Sequence, residues 1–237
     1  MLNFRQTTSA EFGSFAQQVV AEVSDYGTHE TASQHLTERI YTSFADEDGP
    51  ILSLVRVYRL CTFDELSPEL QELTSEGMPH VMALTGTYGE EEAWCDRHQS
   101  QGHKLIPMEP AIVHSQIPMF EKMLVESMGV NLEVLYETLD PVTATRTGIS
   151  GLFHIPTALG SPVIPAQEGF VEPYGIASVV GFGGLMAGTA GRHAMYVLYA
   201  FSKQPIDDQA AHNFQEMQSR LGAALDNARE PEQVFAR

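Results

Sequence analysis

The 237-residue sequence contains two cysteines, one tryptophan, and 13 lysines and arginines against 31 acidic residues. Each scarcity excludes something. Two thiols, Cys61 and Cys95, cannot build a disulfide framework, so they read as reduced cysteines in a reducing compartment. A net charge of −18 opposes phosphate backbones and anionic lipid, which sets nucleic acid and membrane surfaces aside as partners. The longest apolar runs, such as Ala194 to Phe201, are far too short to span a bilayer. The opening MLNFRQTTSAEF lacks the apolar stretch of a secretory signal, so the expectation is a cytoplasmic protein. There is no internal repeat and no low-complexity linker.

What remains is ordinary globular composition, 43% apolar, enough to bury a sizeable core. Thr8 and Glu11 form a capping box, and Phe12, Phe15, Ala16, Val19 and Val23 follow on one helical face. A second helix starts near Thr28 with Ala32, Leu36, Ile40 and Phe44 as its stripe. The segments "ILSLVRVYRLCTF" (51–63), "HVMALTGTYG" (80–89), Leu152 to Ile155, "GIASVVGF" (175–182) and "AMYVLYAFS" (194–202) read as strands. Pro118 opens an amphipathic helix closed by Gly129. Asp207 caps a long terminal helix striped by Ala210, Phe214, Met217, Leu221, Leu225 and Ala228. Consecutive strands between terminal helices predict an α+β fold: an antiparallel central sheet with the N- and C-terminal helices packed on one face. One domain is expected over 1–237, divided into N-terminal helices (1–48), sheet and pocket loops (49–204) and a C-terminal helix (205–230).

The stretch "FVEPYGIASVVGFGG" (170–184), followed by "AMYVLYAFSKQPIDDQAAHNFQEMQSRLGAAL" (194–225), resembles the closing half of a GAF-like sensory domain of the GAF/PAS superfamily. The middle stretches "ALTGTYGEEEAWCDRHQSQGHKLIP" and "LFHIPTALGSPVIPAQEGF" look similar to a bacterial subgroup found near histidine kinases. The resemblance implies ligand sensing and a homodimer paired through its first and last helices. It leaves the ligand open. No cysteine-histidine pair of the bilin-attachment type stands in the later pocket loop, and the asparagine-lysine-phenylalanine-aspartate-glutamate signature of cyclic-nucleotide-binding members is missing.

The chemistry concentrates in "AWCDRHQSQGH" (93–103). Cys95, His98 and His103 are good ligands for zinc or iron, but their spacing matches no strong motif; the plainer reading is a polar loop lining a pocket. Arg97 and His98 are near enough in sequence to activate Cys95 as a thiolate, as in GAF-like reductases of free methionine sulfoxide. Such a cycle needs a resolving thiol, and Cys61 shares strand alternation with Val55 and Val57, as a core side chain does. Trp94 suits either stacking on a flat ligand or anchoring a long loop. Arg97, in a chain so poor in cations, suits a ligand carboxylate or phosphate, or else a salt bridge to the acidic run Glu90-Glu91-Glu92. His154 and Tyr174 complete the candidate ligand-binding set of Trp94, Arg97, His98, His103, His154 and Tyr174. Gly181-Phe182-Gly183-Gly184 fails the phosphate-loop test and reads as a turn with close strand packing. No G-x-S-x-G elbow is present.

The sequence thus predicts a non-catalytic, ligand-binding GAF-like domain. Its small molecule would sit between the sheet and the 90–128 and 150–174 segments. With no kinase, cyclase or DNA-binding segment in the chain, the expected output runs through a partner such as a histidine kinase. No cofactor is named. The alternatives are a Cys95-centred redox enzyme, a metal- or haem-binding sensor, and a ligand-free dimeric scaffold.

Overall fold

The computed structural model describes residues 1–23, 25–78, 80–138, 140–144, 150–186, 194–226 and 233–236. Its centre is one antiparallel sheet of six strands: β1 (Leu52–Cys61), β2 (Val81–Gly89), β3 (Leu105–Pro107), β4 (Ser150–Ile155), β5 (Ser178–Met186) and β6 (Ala194–Ser202). The order is β3-β2-β1-β6-β5-β4, so the first and last long strands pair at the middle, with Arg56 opposite Tyr199. Both central strands are buried along their whole length, as expected of strands covered on both faces.

Side chains alternate across the sheet. Val55 and Val57 of β1, with Leu198 and Ala200 of β6, face the terminal helices α1 (Ser9–Val23) and α2 (His29–Ser43), together with α5 (Asp208–Gln215) and α6 (Gln218–Asp226). Leu54 and Tyr58, with Tyr199 and Phe201, face the opposite layer. That layer is built from irregular loops, α3 (Pro110–Gln116), α4 (Leu132–Thr138) and a π-helical stretch Glu121–Ser127. The α+β expectation, with both terminal helical regions on one face, is therefore what the chain forms.

Local signals act as the sequence implies. Glu11 accepts from the Thr8 amide at 2.8 Å, Thr28 caps α2 through the Thr31 amide, and Asp207 caps α5 through the Ala210 amide at 2.8 Å. The stripe residues of α1 and α2 are buried against the sheet within this chain. Helix α2 comes so close to β2 that a side chain at Gly86 would overlap the Ser33 backbone carbonyl.

Two expectations need correction. The glycines at 181–184 lie inside β5 and make no turn. A β-carbon at Gly183 would sit 2.9 Å from Met128 Sδ, so this glycine admits the π-helical stretch onto the sheet. The loop expected between β5 and β6 falls on residues 187–193, outside the described residues. The terminal helix is also not continuous, because residues 216–217 separate α5 from α6. Its stripe from Ala210 to Leu225 is buried on both sides of that break, while Ala228 lies outside the described residues.

Candidate functional site

The loop-covered face of the sheet encloses a cavity of about 390 Å³. Its floor is Leu54, Arg56 and Tyr58 of β1 with Tyr199 and Phe201 of β6, which the period-2 alternation turns to the same side. Its walls include Trp94, Gln101, His103 and Ile106, then Gln116 to Phe120, and Ile164 to Ala166 with Phe170. Aromatic rings brace one another around it. Tyr58 meets Phe120 edge-on at 5.1 Å between centroids, and Phe120 and Phe153 meet Tyr199 in the same manner at 5.6 and 5.1 Å. The Tyr199 hydroxyl donates to the Met119 carbonyl at 3.1 Å, and burial pushes its pKa well up, so it stays a phenol.

Arg56 brings charge into this apolar space. Its residue is 9% exposed, on the sheet floor. One guanidinium nitrogen donates to the Tyr58 hydroxyl at 3.3 Å and the other terminal nitrogen to Ser100 Oγ at 3.0 Å. Both acceptors are neutral. Its Nε–H is buried and has no acceptor. Among the described residues no carboxylate pairs with Arg56, whereas buried Arg59 and Arg97 each have one. The cavity lining contains no aspartate or glutamate. Within an acidic protein this is a cationic pocket.

Three of the residues expected from the sequence gather here. Trp94 lines the cavity and is also an anchor, its ring 4.6 Å from that of Tyr174 and 5.6 Å from Phe170. It reaches this position because Gly89 carries no side chain; a β-carbon there would lie 2.8 Å from the indole. Tyr174 supports Trp94 from behind and does not line the cavity. His103 lines the mouth with a left-handed backbone, φ +54°, a conformation non-glycine residues seldom adopt. Desolvation of its ring, and then the Arg56 guanidinium, push its pKa below the usual imidazole value, which favours the neutral ring.

The other three do not line the cavity and turn to partners within the chain. Arg97, 2% exposed, makes a short buried ion pair with Glu30 in the first turn of α2 and stacks its guanidinium over Phe235 at 4.8 Å. Its acid is thus neither a ligand nor the Glu90–Glu92 run. His98 is exposed and bridges Glu69 (3.1 Å) and Glu30 (3.2 Å), and Lys104 joins Glu69 at 2.9 Å. His154 turns to the helical side, where Nε2 meets the Ile206 carbonyl at 2.9 Å and Nδ1 meets Asp208 at 3.1 Å. The stretch 93–103 therefore splits. Its Trp94, Gln101 and His103 face the cavity, while Arg97 and His98 tie down α2.

The same split separates Cys95, His98 and His103. Cys95 Sγ donates to the Gly89 carbonyl at 3.3 Å, and its own carbonyl accepts from Gln34 of α2 at 3.0 Å. Among the described residues no three His, Cys, Asp or Glu side chains converge in the manner of a metal site. Cys61 is fully buried beside Arg59. Burial pushes its thiol up to about 11, against the opposing pull of the Arg59 charge.

Arg56 and Gln116 are cavity residues that the motif search did not single out. For Arg56 a signal existed. In "ILSLVRVYRLCTF" it is a charged residue in phase with Leu54 and Tyr58, so an apolar strand face had to enclose a cation.

No family model matches the chain, and no curated protein matches it. Solved structures similar to it include free methionine-R-sulfoxide reductase from Neisseria meningitidis in complex with its substrate, at 12% identity and TM-score 0.48, covering 93% of this chain and 92% of that one. The GAF domain of a phosphoenolpyruvate-protein phosphotransferase from Coxiella burnetii is similar at 11% identity and TM-score 0.45, covering 94% and 97%. The phycoerythrobilin-bound GAF domain of a cyanobacterial phytochrome is similar at 10% identity and TM-score 0.43, covering 92% and 95%. The last two of these structures are GAF domains. At such scores the strand order and layering described above carry the fold, and none of these proteins' functions transfers with the likeness.

Proposed function

We propose that this chain is a small-molecule-binding sensory domain of the GAF-like type, working through a separate signalling protein. The observation that carries the reading is the cavity: about 390 Å³, apolar, aromatic-walled and set between the sheet and its loop layer. Small-molecule sites are typically clefts of roughly 300–1,000 Å³ lined by apolar and aromatic side chains with a few fixed polar groups. Trp94 and His103 are the ligand-facing residues carried over from the sequence, and Tyr174 holds Trp94 in place. In this reading the domain is cytoplasmic, in keeping with two free thiols. It binds neither nucleic acid nor membrane, pairs with a second copy, and passes its state to a partner such as a histidine kinase. Isologous pairing is the commonest soluble assembly and supports the homodimer.

Thermal-shift screening of purified protein against a chemically mixed small-molecule panel tests the reading, alongside an Ala166→Trp variant. Ala166 lies on the cavity wall in an exposed loop, so a tryptophan there narrows the cavity from the loop side while every sheet residue is kept. Compounds that raise the melting temperature of the wild type should leave this variant unmoved. Stabilisation of both proteins alike would place binding elsewhere and sink the proposal.

A further inference from the structure

We infer that the cavity selects a small monocarboxylic acid with an aromatic or aliphatic body, its carboxylate held by Arg56. The inference rests on the ligand-binding reading above and deepens it by naming the ligand class.

Taking a guanidinium out of water is unfavourable unless hydrogen bonds and an opposite charge compensate. Proteins meet that need with a carboxylate, as this chain does for Arg59 with Glu65 at 3.2 Å and for Arg97 with Glu30. Arg56 is the exception among these three. A guanidinium offers five N–H donors. Those of Arg56 find the Tyr58 hydroxyl and Ser100 Oγ, and its Nε–H finds nothing. An incoming anion would supply what the protein withholds.

The surroundings narrow the anion. Arg56 is the one permanently charged residue of the lining, and His103 beside it is driven toward the neutral form. A single positive charge balances a monoanion. A phosphate monoester, near −2 at neutral pH, would remain under-compensated in a chain carrying −18. The planar fork of arginine also matches a carboxylate in two parallel hydrogen bonds. Gln101 and Gln116 add neutral amides to the lining. The rest is hydrocarbon: Trp94, Phe120, Phe170 and Phe201 offer ring faces and edges to an apolar body.

Three probes and two variants test this by titration calorimetry on the full chain: 3-phenylpropionate, its amide 3-phenylpropionamide, and indole. The wild type should bind the acid at least about tenfold more tightly than the amide. Arg56→Met should weaken the acid on the order of 100-fold, the loss expected when a desolvated charge partner is truncated, and leave the amide and indole unchanged. Arg56→Lys, which keeps the charge but not the fork, should fall between the two. Unchanged amide binding also shows that the Met variant is folded. Acid and amide bound equally would overturn the carboxylate inference while leaving the cavity reading intact, as would indole binding without acid binding. Failure of all three probes on wild-type protein would overturn the carboxylate inference and leave the cavity reading to the panel screen.

Discussion

Arg56 and Arg97 are buried to 9% and 2% exposure and differ in one respect. On the α2 side, Arg97 is closed off by Glu30, by the neighbouring Glu69 and by the ring of Phe235. Glu30 in turn accepts from the Ala236 amide at 2.6 Å and sits in the first turn of α2, where the helix dipole favours a carboxylate. On the cavity side, Arg56 has only neutral acceptors. The difference separates structural charge from receptive charge. A charge whose partners all come from its own chain fixes the fold, whereas a charge left partly satisfied on an apolar cavity floor is available to something from outside.

That comparison can be broken most forcefully at Glu30. Glu30→Ala leaves buried Arg97 with only the 3.9 Å contact to exposed Glu69 and should lower stability by about 3–5 kcal/mol in denaturant unfolding. A loss below about 1 kcal/mol would mean that Arg97 depends on a carboxylate no more than Arg56 does, and the distinction would collapse.

His29, next to Glu30, gives the same side a pH signature. It is fully buried, and desolvation lowers its pKa to about 3 from 6.5, with the Arg59 charge adding to the effect. Because the folded value is depressed, the unfolded chain takes up the proton first. The neutral ring's contribution is complete above pH 6.5 and is lost as pH falls from 6.5 toward 3. His29→Leu should flatten that part of the stability profile, by on the order of a few kcal/mol across the window. Parallel profiles for the two proteins would contradict the buried neutral histidine.

At Gly86 the effect is smaller. Gly86→Ala forces the Ser33 carbonyl, which is backbone and cannot rotate away, to shift with all of α2. The expected loss is about 1–3 kcal/mol by thermal or chemical unfolding, and an unchanged midpoint would show that α2 docks more loosely than described. Smallest of all is Arg56→Met. Without a carboxylate to lose, the fold should change by no more than about 1 kcal/mol in either direction. A loss as large as that of Glu30→Ala would identify Arg56 as a structural cation after all.

The helices and long strands were legible because their signals are local. Thr28 and Asp207 cap the helices expected to begin at them, and β6 spans the residues that its continuous apolar run marks. The break between α5 and α6 was hidden because the buried stripe keeps its phase across it. There the Tyr196 hydroxyl donates to the Gln218 carbonyl at 2.6 Å, and Gly222 lies close against the same ring. Strand β3 was invisible for the opposite reason: three residues, paired only with Val81, Met82 and Ala83, offer no period to detect. The site was half legible. Cation scarcity drew attention to Arg97, whose partner Glu30 lies 67 positions earlier and is unreadable from spacing. Within the strands an equally scarce cation is Arg56, in phase with Leu54 and Tyr58. Loop composition could not separate Trp94 and His103 from Arg97 and His98, because the chain turns between them and sends each pair to a different neighbour.

Gln34 gives that division a mechanical meaning. From α2 its amide nitrogen donates to the carbonyls of Thr87, at 2.7 Å, and Cys95, at 3.0 Å. Cys95 directly follows Trp94, the indole on the cavity wall. One short side chain therefore latches a helix on the far side of the sheet to the residue adjoining the pocket's own aromatic wall. In the ligand-binding reading proposed above, an occupant that moved Trp94 would pull on that latch, and through it on α2.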